Sequence, residues 1–214
     1  VDIIDIGGES TRPGAERVSE AEEIERTIPV IAELAKHGVK ISIDTMRAST
    51  AEVAIKAGAS IINDVSGGLA DPHMLQTAAR LGVPYIAMHW RGQSKDMNSK
   101  AIYNDVVIDV ISELQERITA ALDAGIEVGN LIIDPGLGFA KDAEHNWEII
   151  DSIDSFVDLG YPVLVGASRK RFLGGDSPDE REQATIDLTK RLATTGVWAV
   201  RVHSVKPHKE VLAQ

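Results

Sequence analysis

The chain has 214 residues, a length that one α/β barrel of roughly 200–250 residues fills as a single domain, and residues 1–214 read as one domain. Its net charge of −11, from 22 basic and 33 acidic side chains, argues against a main role in neutralising nucleic-acid phosphates or anionic lipid. The absence of cysteine excludes disulfides, a thiol nucleophile and thiolate zinc ligation. No apolar run reaches the ~18–20 residues of a membrane-spanning helix and no signal-peptide pattern opens the chain, so a cytoplasmic location without membrane partners is expected.

Short apolar runs recur at 1–6, 39–43, 59–62, 83–88, 131–133, 162–167 and 197–202. They are continuous rather than alternating, the pattern of strands buried on both faces. Amphipathic segments lie between them. The first runs from Ser19 to His37, where Ser19 and Glu22 have capping-box spacing, Ile24, Ile28, Ile31 and Ala35 share a face, and Gly38 is the stop. Pro29 is expected to kink it or split its hydrogen bonding. Asp71-Pro72 reads as an N-cap followed by proline at the first helical position, with Gly82 closing that helix. The longest helix is predicted over 102–124, its stripe including Val107, Val110, Leu114, Ile118 and Ala121, and two more follow near 143–158 and 181–195. Strand then helix, repeated, means parallel strands joined by crossovers, in a closed (β/α) barrel or an open doubly wound sheet. Seven strands are counted where a barrel has eight, so either a first strand precedes Val1 or the sheet is open.

Ligands of parallel α/β folds bind at the carboxyl ends of the strands. The runs here are followed by Asp5 and Glu9, Asp44, Asn63, His89, Asp134, Lys170, and Arg201 with His203. Asp44, Asn63, Asp134 and Lys170 combine acceptors and donors that suit a planar heterocycle with an amino group beside a ring N–H and a carbonyl, such as a pterin or a guanine. Met88 and Phe139 would be its apolar walls. The blander alternative makes Asp134-Pro135-Gly136 a turn and Asp44 a helix cap. Arg201 and His203 alternate on the last strand and so point one way, and Arg12 lies in the Gly7–Gly14 loop; together they suit a pyrophosphate. A dinucleotide fingerprint, a P-loop and a His-Glu-x-x-His metal motif are all absent.

Six segments, Asp5-Ile6-Gly7-Gly8-Glu9-Ser10-Thr11-Arg12-Pro13-Gly14, Ser42-Ile43-Asp44-Thr45, Ile62 to Gly68, Asp134 to Phe139, Ser168-Arg169-Lys170-Arg171 and Arg201-Val202-His203, resemble in content and order the signature segments of the dihydropteroate synthase family of pterin-binding enzymes. Met88-His89-Trp90-Arg91 is most similar to actinobacterial members. The resemblance implies a TIM (β/α)8 barrel whose first strand and loop are missing from this chain. It also implies condensation of 6-hydroxymethyl-7,8-dihydropterin pyrophosphate with p-aminobenzoate to give 7,8-dihydropteroate and pyrophosphate in folate biosynthesis. Carried over by motif, Asp44, Asn63, Met88, Asp134, Phe139 and Lys170 hold the pterin. Thr11, Arg12, Pro13, Phe139, Ser168 and Lys170 border the p-aminobenzoate site that sulfonamides occupy in the family. Arg12, Arg201 and His203 hold the pyrophosphate, and Lys170, Asp44 and Arg201 are the candidate catalytic residues. Mg²⁺ is the implied cofactor, with its ligand expected in the Asn-Val-Thr-Pro-Asp-Ser-Phe loop of the missing segment, so no residue is assigned to metal. A homodimer meeting through apolar faces of the last helices is expected, and no nucleic-acid partner. The rival readings are a methyltetrahydrofolate:corrinoid methyltransferase domain and a non-catalytic pterin-binding paralogue.

Overall fold

The computed structural model describes residues 1–12, 14–93 and 95–213. Its strands are β1 (Ile4–Gly7), β2 (Ile41–Asp44), β3 (Ile61–Asp64), β4 (Tyr85–Met88), β5 (Leu131–Asp134), β6 (Leu164–Val165) and β7 (Ala199–Val200). β1 to β5 pair in chain order, all parallel, β6 pairs with β7, and an isolated bridge from Ile133 to Val163 joins the two groups. The result is an arc of parallel strands in sequence order, the arrangement of a (β/α) barrel, with no strand of the described residues between β7 and β1.

Side chains of a strand alternate between its faces, so each strand serves two layers. One face of the arc, with Ile41, Ile43, Ile62, Tyr85, Leu131 and Ile133, packs into the main core together with helix residues such as Ile31, Val110, Leu114, Ile149 and Phe156. On the opposite face, Ile61, Ile86, Ile132 and Leu164 form a separate cluster with Ile3 and Ala199 against it. This small cluster is the floor of the barrel interior. Two positions further along each strand, and hence on the same face, stand Asn63, Met88, Asp134, Gly166, Asp5 and Arg201. The apolar floor and the polar site are therefore successive layers of one inner surface.

The helices are α1 (Glu20–Ala35), α2 (Ala48–Ala57), α3 (Met74–Leu81), α4 (Val106–Asp123), α5 (Ala143–Asp151), α6 (Ile153–Val157), α7 (Arg181–Leu192) and α8 (Val205–Leu212). α1 runs from Glu20 to Ala35 with Pro29 inside it. Ser19 Oγ accepts from the Glu22 N–H at 3.2 Å, but the Glu22 carboxylate turns to Arg26, so only half of the capping box forms. The buried side of α1 is Glu23, Thr27 and Ile31, a polar seam that the apolar pattern did not show. α3 starts at Met74 rather than at Pro72, because Asp71 serves the loop instead: its carboxylate accepts from His73 N at 2.9 Å and from Ala48 N at 2.8 Å, which caps α2. α2 buries mainly alanines and a threonine, and α8 buries only His208, so neither carries an apolar stripe that periodicity would detect.

Candidate functional site

Asp5, on β1, organises the interior end of the site. Its carboxylate accepts from Ser42 Oγ, from Asn63 Nδ2 at 3.3 Å and from Arg201 Nε. Arg201 also donates through Nη2 to Asp44 at 3.1 Å. Arg201 thus reaches across the open side of the arc, from β7 to β1 and β2, and brings Asp5, Asp44 and Asn63 into one group. Burial and the neighbouring Asp5 carboxylate raise the Asp44 pKa to about 7, with Arg201 opposing. Asp44 caps nothing: the residue before α2 is Arg47, and the carboxylate there belongs to Asp71.

Asp134, at the end of β5, accepts from the Gly136 N–H at 2.7 Å, so the expected turn is present. Burial raises its pKa while Lys170 works against that shift. Lys170 Nζ donates to the Leu137 carbonyl and stands 4.7 Å from the centre of the Phe139 ring. Burial lowers the Lys170 pKa to about 8, with Asp134 opposing. The loop makes room for this lysine only at a glycine: Gly138 has φ +75°, and a Cβ there would lie 2.9 Å from Lys170 Cδ. Phe139 packs against an apolar cluster of Met46, Val65 and Met88, the walls expected for the heterocycle.

Above this interior an open cleft of about 1000 Å³ is lined by Asp5, Asp44, Phe139 and Lys170 together with Thr11, Arg12, Ser168, Arg201 and His203. Asn63, Met88 and Asp134 are buried and do not line it. Ser168 Oγ accepts from the His203 N–H at 3.2 Å and lies 2.9 Å from His203 Nδ1. The Ser168 hydroxyl thus engages Nδ1 and leaves Nε2 as the free ring nitrogen. Burial and the nearby Arg169, Arg201 and Arg12 charges lower the His203 pKa, so the ring is neutral near pH 7.

The Gly7 to Arg12 loop is held from behind by charged side chains. Arg47 donates through Nη1 to Glu9 at 3.0 Å and to Glu23, Arg17 Nε meets Glu9 at 2.9 Å, and Arg26 Nη1 reaches the Gly8 carbonyl at 2.8 Å. Glu9 is therefore the anchor of the loop that carries Thr11 and Arg12. Pro13 lies outside the described residues.

Residues that the strand-end reading left without a role fall into place. Asp5 is the hub described above. Gly166, on the inner face, stands where a Cβ would be 3.9 Å from Asp134 Oδ2 and 4.0 Å from Arg201 Cβ. Lys141, buried beside His89, went unnoticed because its sequence context is that of a surface lysine before a helix cap.

The model of the family described as pterin binding enzyme matches residues 1–203. A dihydropteroate synthase of Mycobacterium leprae is 46% identical over 98% of this chain and 78% of its own length. Among solved structures, Xanthomonas albilineans dihydropteroate synthase with 4-aminobenzoic acid superposes with a TM-score of 0.93 at 40% identity, over 99% of this chain and 77% of that one. The same enzyme with 7,8-dihydropteroate gives a TM-score of 0.89 at 35% identity, over 99% and 77%. Together with carboxylates at the strand ends of a (β/α) barrel beneath an open cleft, these matches define a pterin-binding enzyme. The chain belongs to that family, and within it to the dihydropteroate synthases, transferases of folate biosynthesis that join a dihydropterin pyrophosphate to p-aminobenzoate.

Proposed function

We propose that the two sides of the cleft divide the reaction between them. The pterin lies over the inner layer, where Asp44, Asn63 and Asp134 present acceptors and an amide to its amino and ring N–H groups, with Met88 and Phe139 as walls and Lys170 as the donor to its carbonyl edge. The diphosphate lies toward Arg12, Arg201 and His203 Nε2. p-Aminobenzoate enters between Thr11, Phe139, Ser168 and Lys170.

The C–O bond of the pterinylmethyl diphosphate then breaks with its electron pair leaving on the diphosphate. The cation formed on the pterin side is stabilised by Asp44 and Asp134, the anion by Arg201, and the amine nitrogen attacks the methylene carbon and gives up one proton to the departing diphosphate. Arg201 is the junction of the two halves, because it is bonded to Asp5 and Asp44 yet lines the open cleft. That junction is the observation that carries the reading. It accounts for a catalyst that stabilises both separated charges within one pocket.

The Mg²⁺ implied by the resemblance, with its ligand expected in a loop before Val1, would supply positive charge to the diphosphate; among the described residues no three acidic or histidine side chains come together to hold a metal. The fold offers a homodimer contact on α8, where Val205 and Leu212 are exposed, and a cytoplasmic enzyme fits a chain in which no described helix is long and apolar enough to cross a membrane. Light scattering of the purified protein, and of Leu212→Glu, tests that contact.

The test of the reaction is pyrophosphate release from the dihydropterin pyrophosphate. Release that requires p-aminobenzoate is the expected result. Release that ignores p-aminobenzoate, or none from a protein that still binds pterin, overturns the reading.

A further inference from the structure

The loop after β5 carries Leu137 and Phe139 to Lys170, and its conformation is not one the chain adopts for its own sake. Gly136 and Gly138 have φ of +69° and +75°, and Ala140, which has a side chain, has φ +48°. A Cβ at Gly136 would strike the His89 carbonyl oxygen at 2.5 Å. Side-chain contacts must hold it there.

Lys141 meets that need. Its Nζ donates to the Gly136 carbonyl at 3.1 Å, to the Phe139 carbonyl at 3.0 Å and to His89 Nδ1 at 2.8 Å, so the donors of one ammonium are matched by three acceptors. The loop is wrapped around its own lysine. His89 is aimed in turn: with Nδ1 accepting from the lysine, Nε2 carries the ring hydrogen and donates to Glu113 on α4 at 2.9 Å. Burial and the facing Lys141 hold the His89 pKa down to about 4, which keeps the ring neutral and able to accept. Glu113 is fixed by Arg91, whose guanidinium lies 3.8 Å from the centre of the Tyr103 ring. The Tyr103 hydroxyl closes the circuit by donating to the Ala140 carbonyl at 2.9 Å. The circuit thus grips the loop at Gly136, Phe139 and Ala140, on either side of the two residues that touch Lys170.

We propose that Lys141 is a positioning residue whose ammonium, aimed by His89 and Glu113, folds the 135–141 loop so that Leu137 and Phe139 hold Lys170 against the substrates. The proposal rests on the reading of Lys170 as a substrate-binding group, and it assigns Lys141 and His89 no contact with substrate. Its consequence is selective. The Asp44 and Asn63 side of the pterin site is built on β2 and β3 and does not depend on this loop. The Lys170 side does.

Lys141→Met keeps the length of the side chain and removes every donor; His89→Leu removes the acceptor and donor from the ring position, whereas His89→Gln retains one of each. Hydrogen exchange of the amides in residues 136–140 reads the loop directly. Exchange should rise there in Lys141→Met and His89→Leu, with α1 unchanged, and return toward the parent in His89→Gln. In turnover, Lys141→Met and His89→Leu should lose on the order of 10²-fold in kcat/KM for p-aminobenzoate, as expected for misplaced reacting groups, with pterin binding weakened far less, through Lys170 and Phe139 only, and His89→Gln substantially restored. Unchanged loop exchange, or His89→Leu and His89→Gln behaving alike, overturns the proposal. If the parent protein shows no p-aminobenzoate-dependent turnover, the proposed reaction fails, and the exchange comparison still decides the clamp.

Discussion

The two ends of the cleft are built in opposite ways. At the end proposed for the pterin, Asp44, Asn63 and Asp134 are fixed by backbone, on hydrogen-bonded strands directly above the Ile61, Ile86, Ile132 and Leu164 floor. Desolvation there moves the pKa values of Asp44 and Lys170 toward neutrality, to about 7 and about 8. At the anion end, β6 and β7 are two residues each, and Arg12 and His203 are exposed. The difference teaches where each kind of work belongs. Recognising a flat neutral ring needs rigid, desolvated partners, while catching and releasing a diphosphate suits solvated hydrogen-bond donors, charged Arg12 and neutral His203 among them. Arg201 belongs to both ends, and the comparison can be broken there first.

Arg201→Ala should lower kcat by roughly 10²–10³-fold, the cost of losing one preorganised partner of a developing charge. Because Arg201 opposes the rise of the Asp44 pKa, the same change should push that pKa above about 7 and weaken pterin binding at neutral pH, with recovery as the pH rises. Pterin binding that loses strength equally at all pH values would count against the coupling.

Removing support from below should act on stability before chemistry. Ile132→Ala in the floor is expected to cost about 2–5 kcal/mol, read as a drop in Tm or in the denaturation midpoint. The floor interpretation fails if the variant is as stable as the parent and only its activity falls.

The pH profile separates the ends more gently. Asp44 is needed as an anion and Lys170 as a cation, so kcat/KM for the pterin substrate should be bell-shaped, rising through about 7 and falling through about 8. Asp5→Asn removes the neighbouring charge that helps raise the Asp44 pKa, so the acidic limb should move to lower pH. In stability the sign is opposite to activity: a folded-state pKa raised from 3.8 means that the folded protein holds a proton the unfolded chain has lost, so Asp44 disfavours folding increasingly from pH 3.8 to about 7. Asp44→Asn should therefore flatten the loss of stability over that range. At the exposed end, Arg12→Ala should have the smallest effect of these, about tenfold in KM for the diphosphate substrate, and more at low salt than at high.

Much of the inner layer was legible because strand ends advertise themselves. Asp44, Asn63, Asp134, Lys170, Arg201 and His203 each follow a continuous apolar run, and a parallel fold has few other places to put its ligand. Asp5 shows the limit of that reading: it was visible at the same kind of position, but its role as the acceptor for Ser42, Asn63 and Arg201 depends on which strands become neighbours. Glu9, Glu23 and Arg47 are still further from view, since their contacts join the first loop, α1 and the start of α2 over separations no local pattern records. Lys141 is hidden for the same reason, and Gly166 because the absence of a side chain leaves nothing to read. α2 and α8 escaped because alanine, threonine and a single histidine bury surface without making an apolar stripe.

The most direct measurement is equilibrium binding of a pterin that lacks the diphosphate, across the neutral pH range, to the parent protein and to Arg201→Ala. If Arg201 joins the two ends through Asp44, the midpoint of the binding curve moves to higher pH in the variant, although the ligand carries no anion for Arg201 to hold. A midpoint that stays in place would contradict the junction and return Arg201 to a diphosphate contact alone.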